Sequence, residues 1–228
     1  MIIGLIPIII LFLYICNMDI IESITKFGTR PIPHQVLITI LKEYKRPNDK
    51  INEWVKQDML ITLKKGLYIW KGKGNLLAEP FIVANALYGP SYISGETALA
   101  YHNLTPERVF GYMSMTTRKT KIFNNRVGNF EFRHLPLPYY SFGTKQEEIT
   151  NNQFAIIATG EKALFDKIVT TPGILIRSKD VASSYLLENL RIDKYLLKQL
   201  DIKTMKSWIA DAPKKETLSF IIKAIQSL

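Results

Sequence analysis

Cysteine is nearly absent from this 228-residue sequence: Cys16 stands alone. A single thiol excludes a disulfide framework. Histidine is equally sparse, at three residues (His34, His102 and His134), and no Cys/His spacing suits a zinc site. A reducing cytoplasm fits this composition. A phosphate-cradling glycine loop of the Walker type is missing, as is a nucleophile elbow. Acidic residues are in deficit, 20 against 30 Lys and Arg, which leaves a net charge of +10. Such an excess favours an anionic partner: nucleic acid, a membrane surface or an acidic protein. A basic surface kept for solubility gives the same number, so charge alone does not choose. Apolar residues are plentiful, at 47%, enough to build the core of one large domain or of two modest ones.

Residues 1–17, MIIGLIPIIILFLYICN, carry no charge. A spanning helix needs about 20 apolar residues, and this run is shorter and interrupted by Pro7. A secretory signal needs a positive first segment and a small-residue cleavage site, and neither is present. The sequence restarts at Met18 with MDIIESITKF. The expectation is that translation begins there and that 1–17 is an apolar leader upstream of it. A membrane anchor is the alternative. With the start at Met18, no cysteine remains and no membrane is expected.

After Met18 the pattern predicts three short helices and a hairpin. Residues 19–27 place Ile20, Ile21, Ile24 and Phe27 on one face, and Gly28 and Pro31 end the run. Residues 34–44 bring Val36, Leu37, Ile40, Leu41 and Tyr44 to helical spacing, with Pro33 just before. Asn48 is the expected N-cap of a third helix, about 49–59, buried through Ile51, Trp54, Val55 and Met59. Two strand-like runs, Leu60–Leu63 and Leu67–Trp70, then flank Lys64-Lys65-Gly66, where the glycine supplies a positive φ.

That order is the order of a winged helix-turn-helix. In such a fold the third helix enters the major groove and the hairpin tip lies on the sugar-phosphate backbone. On the third helix Lys50, Glu53, Lys56 and Gln57 lie away from the buried side, with Asn52 at the flank. Lys can meet guanine, Asn or Gln adenine, and Glu cytosine. Lys64 and Lys65 would neutralise phosphates without reading sequence. A solvated helix face looks much the same, and only helix and basic tip together favour DNA.

Residues 71–75, KGKGN, read as a linker. The domain reading is therefore 18–74 for the winged helix and 75–228 for a mixed α/β domain with a helical tail from about 180, an α+β fold overall. In the second region, residues 76–88 suit a buried helix. Ser94 suits an N-cap of a helix through about His102, with Glu96 in its first turn, and Thr105-Pro106 suits a single turn. Residues 108–117, 129–135 and 154–159 are strand-like, with a turn at NNRVGN. GEKALFDKIV reads as a helix with Ala163, Leu164, Phe165 and Ile168 inward.

No catalytic residue, metal ligand or cofactor site emerges. Glu161 and Asp166, near Lys162, raise the thought of a metal-dependent nuclease. Five apart on a helix, they do not share a face well, and a helix-start acid with surface ion pairing is the better reading. His102 and His134 are each isolated and are read as structural. TTRKTK gathers Arg118, Lys119 and Lys121 after a strand. It is either a solvated strand end or an anion-facing patch for DNA phosphates or an acidic protein.

Four stretches together resemble a known family: WVKQDMLITLKKGLYIW, PSYISGETALAYHNLTPERVFGYMSMTTRKTK, FEFRHLPLPYY and IATGEKALFDKI. In this order, over roughly residues 18–200, the chain resembles AbiEi, the antitoxin and transcriptional regulator of type IV toxin–antitoxin (abortive infection, phage defence) systems. The resemblance implies a cytoplasmic two-domain antitoxin. Its first domain would bind inverted repeats of double-stranded DNA in its own promoter. Its second would neutralise a nucleotidyltransferase-like toxin, AbiEii, without necessarily forming a stable complex. It implies no enzyme and no cofactor. A stand-alone winged-helix regulator without a toxin, and a nuclease-like enzyme, remain as alternatives.

Overall fold

The computed structural model describes residues 20–75, 78–107, 110–150 and 152–228. The apolar leader expected at 1–17 lies outside them. The fold is α+β, and the chain divides into two compact units. The first extends to Glu79 and takes in Asn125–Val127; the second holds Pro80–Asn124 and Gly128–Leu228.

The first unit has a helix over 20–25 (α1), strand β1 (Ile32–Pro33), α2 (His34–Ile40), α3 (Pro47–Lys56), β2 (Leu60–Lys64) and β3 (Leu67–Trp70). The strands form one antiparallel sheet in the order β1-β3-β2. Ile20, Ile24, Ile32, Leu37, Leu41, Ile51, Trp54 and Leu60 make a continuous core. The indoles of Trp54 and Trp70 meet edge to face at 5.3 Å, locking α3 to the hairpin. Ile21 departs from expectation. It is 42% exposed, because α1 is short and only positions 20 and 24 face the core.

Two boundaries also differ. α2 ends at Ile40 and passes into turns before Tyr44. α3 begins two residues earlier than expected, at Pro47, with Arg46 as its N-cap residue and no side-chain cap. Asn48 is thus inside the helix. Proline at the first helical position already removes one orphan N–H and fixes φ, so an asparagine cap is not needed. Asp49 sits in the first turn and Lys56 in the last, each favourable to the helix dipole.

The second unit centres on a six-stranded mixed sheet, order β6-β7-β5-β4-β9-β8. Its strands are β4 (Ser91–Ile93), β5 (Tyr112–Thr116), β6 (Lys121–Asn125), β7 (Gly128–His134), β8 (Thr144–Thr150) and β9 (Gln153–Ala158). β4 and β9 run parallel, as do β5 and β7. Helices α4 (Pro80–Leu87), α5 (Gly95–Tyr101) and α6 (Gly160–Thr170) pack on this sheet. The chain then continues as α7 (Lys179–Ser184), a π-turn at Tyr185–Asn189, α8 (Lys194–Lys198), α9 (Ile202–Trp208) and α10 (Lys215–Gln226). α10 packs on α7, α8 and α9.

β6 and β8 are not legible as strands in the sequence. β8, TKQEEIT, has no apolar alternation because it is an edge strand, paired to β9 on one side only and with no residue fully buried. The turn expected after Thr105-Pro106 runs into residues 108 and 109, outside the described residues; Thr105 Oγ1 donates to the Leu190 carbonyl at 3.3 Å.

Leu37 is fully buried in the first core. Leu37→Ala should lower stability by about 2–5 kcal/mol, through lost burial plus a cavity. Urea denaturation followed by Trp54 and Trp70 fluorescence reads it, and a loss under 1 kcal/mol would contradict this packing.

Candidate nucleic-acid interface and a buried charged cluster

On α3 the residues opposite Ile51 and Trp54 form a polar face: Asn52, Glu53, Lys56 and Gln57 are all exposed. Residues four apart are neighbours on a helix, so Asn52–Lys56 and Glu53–Gln57 lie as two adjacent rows. Glu53 is the hub. Its carboxylate accepts from Lys50 Nζ and from Gln57 Nε2, each at 3.0 Å. The hydrogen bond from Lys50 is the main reason that the Glu53 carboxyl is held below its ordinary value. Lys50 does not project as expected. Its ammonium lies over the rings of Trp54 (5.6 Å) and Tyr44 (5.9 Å), and its side chain is only 20% exposed. Asn52 and Lys56 are therefore the outward-reaching members of the face.

The hairpin turns through Lys65-Gly66, with Lys64 paired to Leu67. Gly66 has φ +80°, which a side chain would strain, and its carbonyl accepts from the His34 N–H at 2.9 Å. Lys65 is exposed at the tip, and Lys64 is half-buried at the end of β2.

In the second unit Arg118, Lys119 and Lys121 are exposed after β5. Two of them are organised by aromatic rings. Arg118 lies over Tyr88 at 5.5 Å, and Lys121 lies over Phe123 at 4.9 Å and Tyr88 at 5.6 Å. Tyr88, Phe123 and Phe132 form an aromatic cluster beneath. Cation–π contact at exposed sites contributes about 0.5–1 kcal/mol and holds the charges in place.

His102 and His134 are both in structural contacts: His102 Nε2 lies 2.7 Å from the Ala158 carbonyl, and His134 Nδ1 lies 3.1 Å from that of Arg118. Among the described residues no group of His, Cys, Asp and Glu could hold a metal ion. Nor is any helix among them long and apolar enough to cross a membrane.

The larger correction concerns α6. Lys162 and Asp166 are not a surface pair. Both are fully buried, with Nζ 2.8 Å from Oδ1. Oδ2 accepts from Tyr92 Oη at 2.9 Å and from Ser94 Oγ at 2.7 Å. Ser94, expected to cap α5, spends its hydroxyl here and makes no cap bond. The Lys162 ammonium donates to the Tyr139 carbonyl at 3.0 Å and sits 3.3 Å from the centre of the Tyr139 ring. Burial pulls the Lys162 ammonium below its ordinary value, opposed by the Asp166 charge. Burial first, then Asp166, pushes the Tyr92 and Tyr139 hydroxyls well up. Gly143 closes the cluster with φ +59°; a Cβ there would lie 2.6 Å from Trp208 and 2.8 Å from Lys162 Cβ. In the sequence, Lys162 and Asp166 bracket the apolar string ALF at a four-residue spacing, which sets them on one face of α6 but does not reveal that this face is buried.

No family model matches the chain, and no curated protein matches it. Among solved structures, the crystal structure of RV2827C protein from Mycobacterium tuberculosis is similar, with a TM-score of 0.64 at 11% identity over 92% of this chain and 76% of that one. At that identity the likeness is one of fold.

Two predictions follow from the cluster. Lys162→Met alone or Asp166→Asn alone should cost about 3–5 kcal/mol, because each strands a buried partner, while Lys162→Met/Asp166→Leu should recover much of the loss. Denaturant midpoints check this, and a double variant no better than the singles would contradict it. The tyrosines also set an alkaline limit. Tyr92, Tyr139, Tyr140 and Tyr185 are all raised above the ordinary value of 10.0, Tyr185 to about 12. The unfolded chain therefore releases protons first. The contribution of the tyrosines to stability should be intact below pH 10 and be lost above it, while the lowered Lys162 and Lys214 contribute in the opposite sense. Tyr92→Phe should reduce that loss in a pH series of thermal melts.

Proposed function

We propose that this chain is a cytoplasmic DNA-binding antitoxin of the AbiEi type. In this reading the first unit is a winged helix-turn-helix that represses its own promoter. The second, with its helical tail, neutralises a nucleotidyltransferase-like toxin. The observation that carries the reading is the first unit's arrangement: α1, α2 and α3 precede a β2–β3 hairpin, α3 turns a polar face outward, and the hairpin tip carries Lys64 and Lys65. Such a face suits base edges, and such a tip suits phosphates. The ordered family-like segments from Pro90 to Ile168 support the antitoxin half, and the basic balance of +10 suits an anionic duplex.

Asn52 and Lys56 read bases, Glu53 and Gln57 flank them, and Lys50 positions Glu53. Inverted repeats would seat one copy on each half-site. Arg118, Lys119 and Lys121 serve neutralisation. No catalytic residue or cofactor has a role.

A paired assay in one host tests the division of labour, with a promoter reporter beside growth under expression of the toxin from the neighbouring gene. Changing Lys50, Asn52 and Lys56 together should abolish repression, each base contact contributing about 1–3 kcal/mol of discrimination. It should spare neutralisation. Reversing charge at Arg118, Lys119 and Lys121 should do the opposite. A helix variant that folds yet loses both activities sinks the assignment, and a neighbour that is no nucleotidyltransferase turns the reading to a stand-alone regulator.

The wing has its own signature. Lys64→Ala/Lys65→Ala should weaken binding to all duplexes alike and lower the slope of log affinity against log salt by up to about 2. An unchanged slope would mean that the tip touches no phosphate.

A further inference from the structure

The six-stranded sheet ends on β8, and among the described residues no strand pairs with its outer side. We propose that β8 is a pairing edge for a second copy of this chain, β8 meeting β8 antiparallel about a twofold axis at Gln146.

The backbone shows which groups face outward. Thr159 N–H donates to the Gly143 carbonyl at 2.8 Å, and the register continues through Lys145↔Ile157 and Glu147↔Ala155. Ile156 N–H, by contrast, donates to Asn85 Oδ1 at 2.6 Å and so points away from β8. Successive residues of a strand alternate the side to which their N–H and C=O point. Lys145 and Glu147 therefore bond β9, and Thr144, Gln146 and Glu148 present unpaired N–H and C=O groups to the open side. A bulge between Glu148 and Thr150 ends the regular run.

Charge then selects the register. A twofold axis normal to the sheet keeps each face on its own side, so opposed residues must both be even or both be odd. Centring on Lys145 or on Glu147 sets a residue against its own charge. Centring on Gln146 sets Gln146 against Gln146 and Thr144 against Glu148, all outward-facing and so hydrogen-bonded pairs. Lys145 then lies against Glu147 twice, at the non-hydrogen-bonded positions where Cα atoms approach to about 4.5 Å and side chains are closest. Charged side chains commonly keep a lone edge strand unpaired. Here their order is complementary to itself and permits one partner. Lys145, Gln146 and Glu148 are exposed. Phe154 and Ile156, 48% and 45% exposed on the adjoining strand, give the same edge an apolar shoulder.

Sedimentation velocity on the full chain across a concentration series, without DNA, tests this apart from the nucleic-acid reading. The wild type should show a reversible dimer. Lys145→Glu alone, or Glu147→Lys alone, should weaken association by on the order of tenfold, since both symmetric pairs become repulsive. Lys145→Glu with Glu147→Lys should restore it. Gln146→Pro should abolish it while leaving the far-ultraviolet circular dichroism unchanged, because that N–H takes no part in the β8–β9 ladder. A chain that stays monomeric throughout, a dimer that survives Gln146→Pro, or a double exchange that fails to recover association overturns the proposal.

Discussion

The second unit depends on the ion pair that α6 carries into its core. Two charges withdrawn from water cost several kcal/mol each, and their mutual attraction offsets this only if the remaining lone pairs and protons find partners. Lys162 and Asp166 find theirs in three separate parts of the chain. Tyr92 and Ser94 come from the end of β4, the Tyr139 carbonyl and ring from the turn after β7, and the enclosing Trp208 from α9. The requirement fixes where α6 sits and obliges β4 to present hydroxyls where an apolar side chain would otherwise fit. It also explains why Gly143 must lack a Cβ. The pair lies at zero exposure, out of reach of a substrate, and braces the sheet against the C-terminal helices.

The first unit is built the other way. Among the described residues its core is apolar, from Ile20 to Leu60, and none of its polar side chains is fully buried. That leaves α3 free to spend its outer face on polar side chains without a stability penalty. Glu53 then orders the face by holding Lys50 on one side and Gln57 on the other. A face pre-arranged in this way loses less side-chain entropy when it meets a partner than one of freely rotating lysines.

Within the sheet the two kinds of strand reflect their neighbours. β4, flanked on both sides, is buried at all three residues, whereas β6 and β8 at the margins have no buried residue. The margins are where a sheet meets other chains, and their charge order decides whether it does.

The sequence by itself determined the local elements. Periodicity located α3, β9 and α6; Gly66 located the hairpin turn; the polar face of α3 follows from Ile51 and Trp54 facing the other way. These are properties of near neighbours, which spacing encodes directly. Tertiary structure decided what depends on distant partners. The same hydroxyl of Ser94 could cap α5 or answer Asp166, 72 residues away, and only the fold brings that carboxylate within 2.7 Å. Lys162 and Asp166 look like surface residues at any range shorter than the whole unit. Lys50 looks like an outward reader until the rings of Trp54 and Tyr44 are set beneath it. β6 and β8 lack the apolar alternation of buried strands because an edge buries little, so pairing with β7 and β9, not composition, makes them strands.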